Sequence, residues 1–158
     1  MDSLEHALDI ANQMRDLLAA ELEEARQQRV LVRELDVQGL FERARRRGEF
    51  NVQLAGMQDG LADALVAGAA ELGLPRLCVE TLRPLGFDLA TRLAEALSEL
   101  RACAQALQEI DNLNRLLARR ALGCVRGYLS AMSPKASVYD RFGSLRNEGP
   151  TSIARQVA

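Results

Sequence analysis

The sequence predicts an all-α protein, and three features support that prediction. Hydrophobic residues make up 48% of the 158 residues but aromatic residues only 4%, so Leu, Ala and Val supply most of the apolar surface. Leu and Ala favour helices, whereas strands are enriched in aromatic and β-branched residues. The chain has only 4 Pro, and apolar residues recur at helical spacing over long stretches. We expect an antiparallel bundle of three long helices, with a short connector helix and a flexible C-terminal tail.

The first helix is predicted to run from about Ser3 to Leu35, with Asp2 or Ser3 as its N-cap. One row of residues spaced by seven is apolar throughout: Leu4, Ala11, Leu18, Ala25 and Val32. A second row is partly apolar and widens the stripe. The pattern therefore predicts an amphipathic helix that packs against more than one neighbour.

Asp36 is predicted either to be the N-cap of a second helix or to mark a kink after which the helix restarts. The second helix carries the basic run Arg43–Arg47, which contains four Arg. On a helix these side chains spread around much of the circumference. We interpret the run as a solvated helix face, with binding to an acidic partner as the alternative. Phe41 and Phe50 are better interpreted as core residues.

A connector is predicted between Gly73 and Asp88, where Gly and Pro interrupt the helical pattern. Pro75 is placed to open a short helix, Arg76 to Leu82, because Pro is tolerated in the first turn. Asp88 is the expected N-cap of the next helix.

The third long helix, Leu89 to Met132, has the clearest pattern in the chain. Its two rows are Leu89, Ala96, Cys103, Ile110, Leu117, Cys124 and Ala131, and Leu93, Leu100, Leu107, Asn114, Ala121 and Tyr128. This 4-3 spacing is typical of a coiled-coil-like seam, and flanking apolar residues favour a bundle over a two-stranded coil. We interpret the chain's three Cys as small buried hydrophobic residues.

Asn114 is the strongly polar residue in these otherwise apolar rows. A lone polar residue at such a position fixes helix register at a cost in stability. Two interpretations remain open: a structural hydrogen bond between helices of this chain, or a contact to a partner helix.

We expect two regions in the chain, a helical bundle domain over residues 1–132 and a flexible tail over residues 133–158 that carries a partner-docking motif. Ser133-Pro134 ends the last helix. Tyr139 and Phe142 lie in the tail, although the chain has few aromatic residues. These two side chains are expected either to dock on a partner or to fold back on the end of the bundle.

Several classes of function are disfavoured by what the sequence lacks. The single His, His6, is expected at or near the surface, and neither a CxxC pair nor a phosphate-binding Gly loop occurs. Carboxylate clusters such as Glu21, Glu23 and Glu24 are interpreted as helix surface. We therefore expect no enzyme activity, no metal and no cofactor.

The net charge of −2 argues against a nucleic-acid binder. Without an evident leader or apolar span, the chain is expected to be soluble and cytoplasmic, with no membrane insertion.

Two motifs, in their order, resemble those of the flagellar type III export chaperone family FlgN. The first is the helical stretch 110–117, IDNLNRLL, which is similar to the family's L-N-x-x-N-type motif. The second is the stretch 139–143, YDRFG, which is similar to its Y-x-x-x-G motif. The junction at 35–40, LDVQGL, is also similar to the family's first helix junction. Asp111 stands where the family often has its first Asn.

This resemblance implies a cytoplasmic chaperone for the hook–filament junction proteins FlgK and FlgL. Such chaperones hold the C-terminal amphipathic helix of the client, and their tail tyrosine docks on the cytoplasmic domain of the export gate, FlhA. Carried onto this chain, the docking residue is Tyr139. The resemblance implies these client-groove residues: Leu113, Asn114, Leu116, Leu117, Val125 and Leu129.

A different class of protein remains as the alternative. The same seam is suited to pairing with copies of itself, as in a homo-oligomeric coiled-coil scaffold or regulator. For the chaperone, self-association in the absence of a client and a monomeric free form are both left open by the sequence.

Overall fold

A computed structural model describes residues 1–132, together with the backbone of residues 138–139 and 145–146. Residues 1–132 contain no strand, and their four α-helices are α1 (Asp2–Glu34), α2 (Val37–Glu71), α3 (Val79–Leu82) and α4 (Asp88–Met132). A 3-10 turn, Arg83–Leu85, follows α3. The all-helical prediction for this part of the chain is confirmed.

A two-residue connection joins α1 to α2. Leu35 ends α1 in the left-handed conformation, with φ 55° and ψ 33°. The backbone N–H of Asp36 donates to the carbonyl of Leu31 at 3.0 Å. The Asp36 side chain then accepts from the N–H of Gly39 at 3.0 Å, and it is the N-cap of α2, as the sequence predicted. Local hydrogen bonds thus end one helix and begin the next within one turn.

Contacts along α1 and α2 show that the two helices run antiparallel. Glu24 pairs with Arg46 at 3.0 Å near the turn, and Ser3 donates to Glu71 at the far end. The Met1 ammonium also donates to Glu71, and these two hydrogen bonds lower the pKa of the Glu71 carboxyl. The two helices therefore touch along nearly their whole length.

The connector differs from its prediction, because its helix begins at Val79 rather than at Arg76. Cys78 is the N-cap, and its backbone N–H donates to Thr81 Oγ1 at 2.9 Å. This side-chain bond starts the helix three residues later than Pro75 would. Asp88 is the first residue of α4 instead of its N-cap.

α4 packs against both α1 and α2 in the first part of its length. Arg15 on α1 pairs with Glu99 at 3.2 Å, and Arg47 on α2 pairs with Asp111 at 2.6 Å. The main hydrophobic core joins these three helices and the connector, with Leu4, Leu82 and Leu93 as its largest fully buried side chains. A second cluster holds Leu18, Ala25, Phe50 and Leu107.

By its internal contacts the chain divides into two compact units, Met1–Ala121 and Leu122–Ala158. In the second unit, the backbone of Val138–Tyr139 pairs antiparallel with Leu145–Arg146, and Tyr139 is opposite Leu145. This strand pair was not predicted from the sequence. The remainder of the predicted tail lies outside the described residues, so the boundary at residue 132 stays a prediction.

Two expectations about the core were wrong. Phe50 is buried as predicted, but Phe41 is 70% exposed. The two are nine residues apart, which is two and a half helical turns, so they lie on opposite faces of α2. The three Cys are not fully buried either: Cys78 and Cys103 are half-buried and Cys124 is exposed. Cys124 follows Asn114, which is the last buried residue of α4.

Candidate functional site

The exposed apolar surface in the second half of α4 is the candidate site. Leu113, Leu116 and Leu117 are exposed to 49%, 47% and 38%, and all three belong to the first unit. Spacings of three and four residues place them beside one another on the helix. We call these three residues the leucine patch. Large apolar side chains on a packed helix are normally buried, so the patch is apolar surface that the rest of the described residues leaves uncovered.

The part of α4 in the second unit is also apolar and exposed. Its large apolar side chains are 37% to 66% exposed: Leu122, Val125, Tyr128, Leu129 and Met132. Val125 and Leu129 are four residues apart and therefore adjacent on the helix. The sequence placed Tyr128 in the seam, but the structure leaves its ring in solvent.

Asn114 faces the interior although its sequence neighbours are exposed. Its side chain is 3% exposed, and Nδ2 donates to the carbonyl of Ala25 on α1 at 2.6 Å. Oδ1 has no hydrogen-bond partner within the described part of the chain. The interpretation as a hydrogen bond between helices is confirmed, and a contact of Asn114 to a client stays a prediction.

The basic run Arg43–Arg47 is only partly a solvated face, which corrects the sequence-based interpretation. Arg43 is 2% exposed and pairs with Glu21, which is itself 6% exposed. Arg47 is partly buried and bridges Glu21 at 2.5 Å to Asp111 at 2.6 Å. Arg45 and Arg46 are the exposed members of the run. Two of the four arginines thus hold α1, α2 and α4 together.

Glu21 was also wrongly assigned to the helix surface. It accepts from both Arg43 and Arg47, so burial of its charge is compensated by two cations. The sequence offered no sign of this, because its partners are 22 and 26 residues away. Asp111, which departs from the family motif, is held in the same network through Arg47.

A second concave feature was not predicted. A cavity of about 360 Å³ lies in the first unit between the three long helices and the connector. Its walls are mostly apolar, with Leu54, Leu97 and Leu100 among them, and Gln58 and Arg101 add polar groups.

The FlgN protein family model matches residues 1–147. The chain belongs to the FlgN family. Searches of curated proteins and of solved structures give no significant match. Membership in FlgN makes the chain a chaperone of flagellar biogenesis that binds flagellar client proteins.

Both motifs that resemble FlgN lie within the matched residues. The helical motif around Asn114 contributes one buried amide and the exposed leucine patch. The second motif begins at Tyr139, whose backbone is in the short strand pair; its side chain and Phe142 lie outside the described residues. Docking of Tyr139 on the export gate therefore stays a prediction.

The described part of this FlgN chain bears on the predictions for His6, metal binding and membrane insertion. His6 is exposed, as expected. Among the described residues, no cluster of three or more His, Cys, Asp or Glu side chains is arranged to hold a metal ion. None of the described helices combines the length and the apolar character needed to cross a membrane.

Proposed function

We propose that this chain is a cytoplasmic export chaperone for hook–filament junction proteins of the FlgK and FlgL type. It binds the C-terminal helical segment of the client and delivers the client to the flagellar export gate. Family membership supports the chaperone role, and the exposed leucine patch on α4 supports binding of a helix. The proposal requires no catalytic step and no cofactor.

The leucine patch has the spacing that binds an amphipathic helix. In such complexes, apolar side chains at i, i+3, i+4 and i+7 of one helix pack against those of another. Leu113, Leu116 and Leu117 supply the i, i+3 and i+4 positions. Val125 and Leu129, which lie in the second unit, are a separate exposed pair that we also propose for client binding. A client helix would remove this apolar surface from water, and that burial supplies the binding free energy.

The arrangement of the long helices belongs to the same proposal. We propose that α1, α2 and α4 form a three-helix antiparallel bundle. The ion pair Arg15–Glu99 and the hydrogen bond Asn114–Ala25 indicate that α4 runs in the direction of α1. Such a bundle uses one side of α4 for packing, and the other side remains for a client.

A binding measurement tests the client assignment. The full chain is titrated with the C-terminal segments of the junction proteins from its own organism, and binding tighter than about 10 μM is expected because several leucines become buried. The double variant Leu116→Gln and Leu117→Gln should lose most of that affinity. The control is Val52→Gln and Val66→Gln, which changes two apolar residues on α2 that are more exposed than these leucines and should bind as the unmodified chain does.

The same samples separate the chaperone from the alternative, a homo-oligomeric scaffold. Sedimentation over a range of concentrations should show self-association of the chain alone. Addition of the client segment should dissociate the oligomer and give a complex with one copy of each partner. A stable oligomer that ignores both client segments would overturn the chaperone proposal and favour the scaffold.

We also propose that Tyr139 docks on the cytoplasmic domain of the gate protein FlhA. Tyr139 is separated from the leucine patch in the sequence, so in this proposal the chaperone holds the client and the gate through different segments. The variant Tyr139→Ala should keep its helicity and its client affinity but bind the FlhA domain at least about tenfold more weakly, since one buried aromatic anchor often carries 2 kcal/mol or more. Unfolding of the variant would instead place Tyr139 in the core and refute the docking role.

A further inference from the structure

The charge of α4 changes sign along its length. Residues 88–111 contain five acidic residues and two Arg, whereas residues 112–132 contain four Arg and no acidic residue. The four are Arg115, Arg119, Arg120 and Arg126. The end of α4 that exposes apolar side chains is therefore also its basic end.

The arginines around the leucine patch lack acidic partners among the described residues, as do four other exposed arginines elsewhere on the chain, Arg29, Arg76, Arg83 and Arg101. Arg26, Arg45 and Arg46 each lie within 3.3 Å of a carboxylate. Within the described residues, Arg119 and Arg120 have no such partner, and Arg115 donates only to the amide oxygen of Asn112, at 3.4 Å. These charges are thus available to a partner of opposite sign.

Their spacing places the charges beside the patch. Arg119 and Arg120 follow Leu116 by three and four residues, so each is its neighbour on the helix surface. Arg115 and Arg119 are four residues apart, and like charges at that spacing destabilise a helix slightly. An anionic partner would relieve this repulsion while it covers the leucines.

We propose that the leucine patch and its three flanking arginines, Arg115, Arg119 and Arg120, select an acidic amphipathic helix. The proposal rests on the proposed function and adds the charge of the client: one face of the client helix is apolar, and its borders carry Asp or Glu. Complementary charge also speeds association and disfavours basic helices. The chaperone would thereby choose among helices that offer similar apolar faces.

An anionic membrane is the other partner with this chemistry, and the structure favours it less. A membrane-surface helix lies with its whole apolar face in the interface. Asn114 donates a hydrogen bond to the carbonyl of Ala25 at this turn of α4, so α1 already packs against one side of the helix. The remaining surface is suited to another helix.

The test uses the full chain and two designed amphipathic peptides with identical apolar faces. One peptide carries Glu and the other Lys at the same border positions. The Glu peptide should bind at least about tenfold more tightly at low salt, and its affinity should fall as salt screens the charges. The variant R115Q/R119Q/R120Q should lose this preference. The control R29Q/R33Q/R76Q removes three exposed arginines elsewhere and should keep it.

Three results would overturn the proposal: equal binding of both peptides, binding of neither peptide, or the same loss in the control variant. Vesicles with anionic lipid provide a further arm, and binding to them without preference for the Glu peptide would assign the surface to a membrane.

The junction-protein segments distinguish the two proposals. If they bind without dependence on salt or on these arginines, the client role stands and the charge selection fails. If the junction-protein segments do not bind while the Glu peptide does, the charge selection stands and the assignment of junction proteins as clients fails.

Discussion

Glu21 and Arg43 form an ion pair in the interior of a small helical protein. Their side chains are 6% and 3% exposed, and Arg47 supplies a second cation to the same carboxylate. Replacing such a pair with apolar residues is often harmless, but removing one partner leaves a buried charge without compensation. Loss of one partner is therefore expected to cost more than the intact pair contributes to stability.

The variant Glu21→Gln keeps the shape of the side chain and removes its charge. We expect it to lower the free energy of unfolding by about 3 kcal/mol, because Arg43 remains buried and unpaired. The matched control is Glu24→Gln, whose carboxylate pairs with the exposed Arg46 and should cost less than about 1 kcal/mol. Urea denaturation of both variants measures the difference. Equal losses would mean that burial of the pair has no energetic consequence.

The sequence predicted which helix carries these residues but not that they meet. Periodicity assigns a residue to a face of its own helix, whereas burial of Glu21 depends on Arg43, 22 residues away on a second helix. Asn114 was easier to interpret, because a polar residue in an apolar row needs a partner nearby. The extents of the long helices were predicted well for the same local reason, because prolines and periodic rows lie in or beside the helices that they define. Of the predicted N-caps only Asp36 was right: Met1 caps α1 in place of Asp2 or Ser3, and Asp88 is the first residue of α4.

Among the helices, α2 contains glycines with opposite surroundings. A Cβ added at Gly56 would meet nothing within 4 Å. A Cβ added at Gly68 would lie 2.9 Å from Leu77 Cδ1 and 3.2 Å from Leu4 Cδ2. Gly68 therefore permits the close approach of α1 and the connector, whereas Gly56 only weakens the helix.

Substitution by Ala separates these two roles. Gly56→Ala should stabilise the chain by about 0.5–1 kcal/mol, which is the usual difference in helix propensity. Gly68→Ala should destabilise it by about 1 kcal/mol, because overpacking against two buried leucines exceeds the gain in propensity. Thermal unfolding followed by circular dichroism measures both changes. A stabilised Gly68→Ala variant would show that Leu4 and Leu77 repack at little cost.

Sequence reasoning was least successful in the connector and in the last part of α4. The connector helix begins where Cys78 and Thr81 form their hydrogen bond, which Pro75 did not indicate. The heptad rows of α4 continue to residue 131, but the last buried residue of α4 is Asn114. A repeat in one helix predicts a face and does not reveal how far its neighbours cover it.

At the scale of the whole molecule, the turn at Leu35 and Asp36 determines which contacts can form first with a small loss of chain entropy. The contact between Leu31 and Asp36 closes a loop of only a few residues, and the pair Glu24–Arg46 closes one of 22. Each later contact between α1 and α2 lengthens a hairpin that already exists. The contact of Asn114 with Ala25 must instead close 89 residues, which costs more chain entropy if nothing has formed before.

The early formation of this turn should therefore be visible in the folding and unfolding rates of variants. We expect the hairpin of α1 and α2 to be formed in the transition state and α4 to dock afterwards. Val32→Ala, near the turn, should then mainly slow folding, whereas Leu107→Ala, in the buried part of α4, should mainly speed unfolding. Stopped-flow measurements in urea distinguish these effects, and the opposite pattern would place α4 in the nucleus. During synthesis the hairpin would be complete before α4 is made, so the helix that is proposed to grip a client is the last of the three to join the fold.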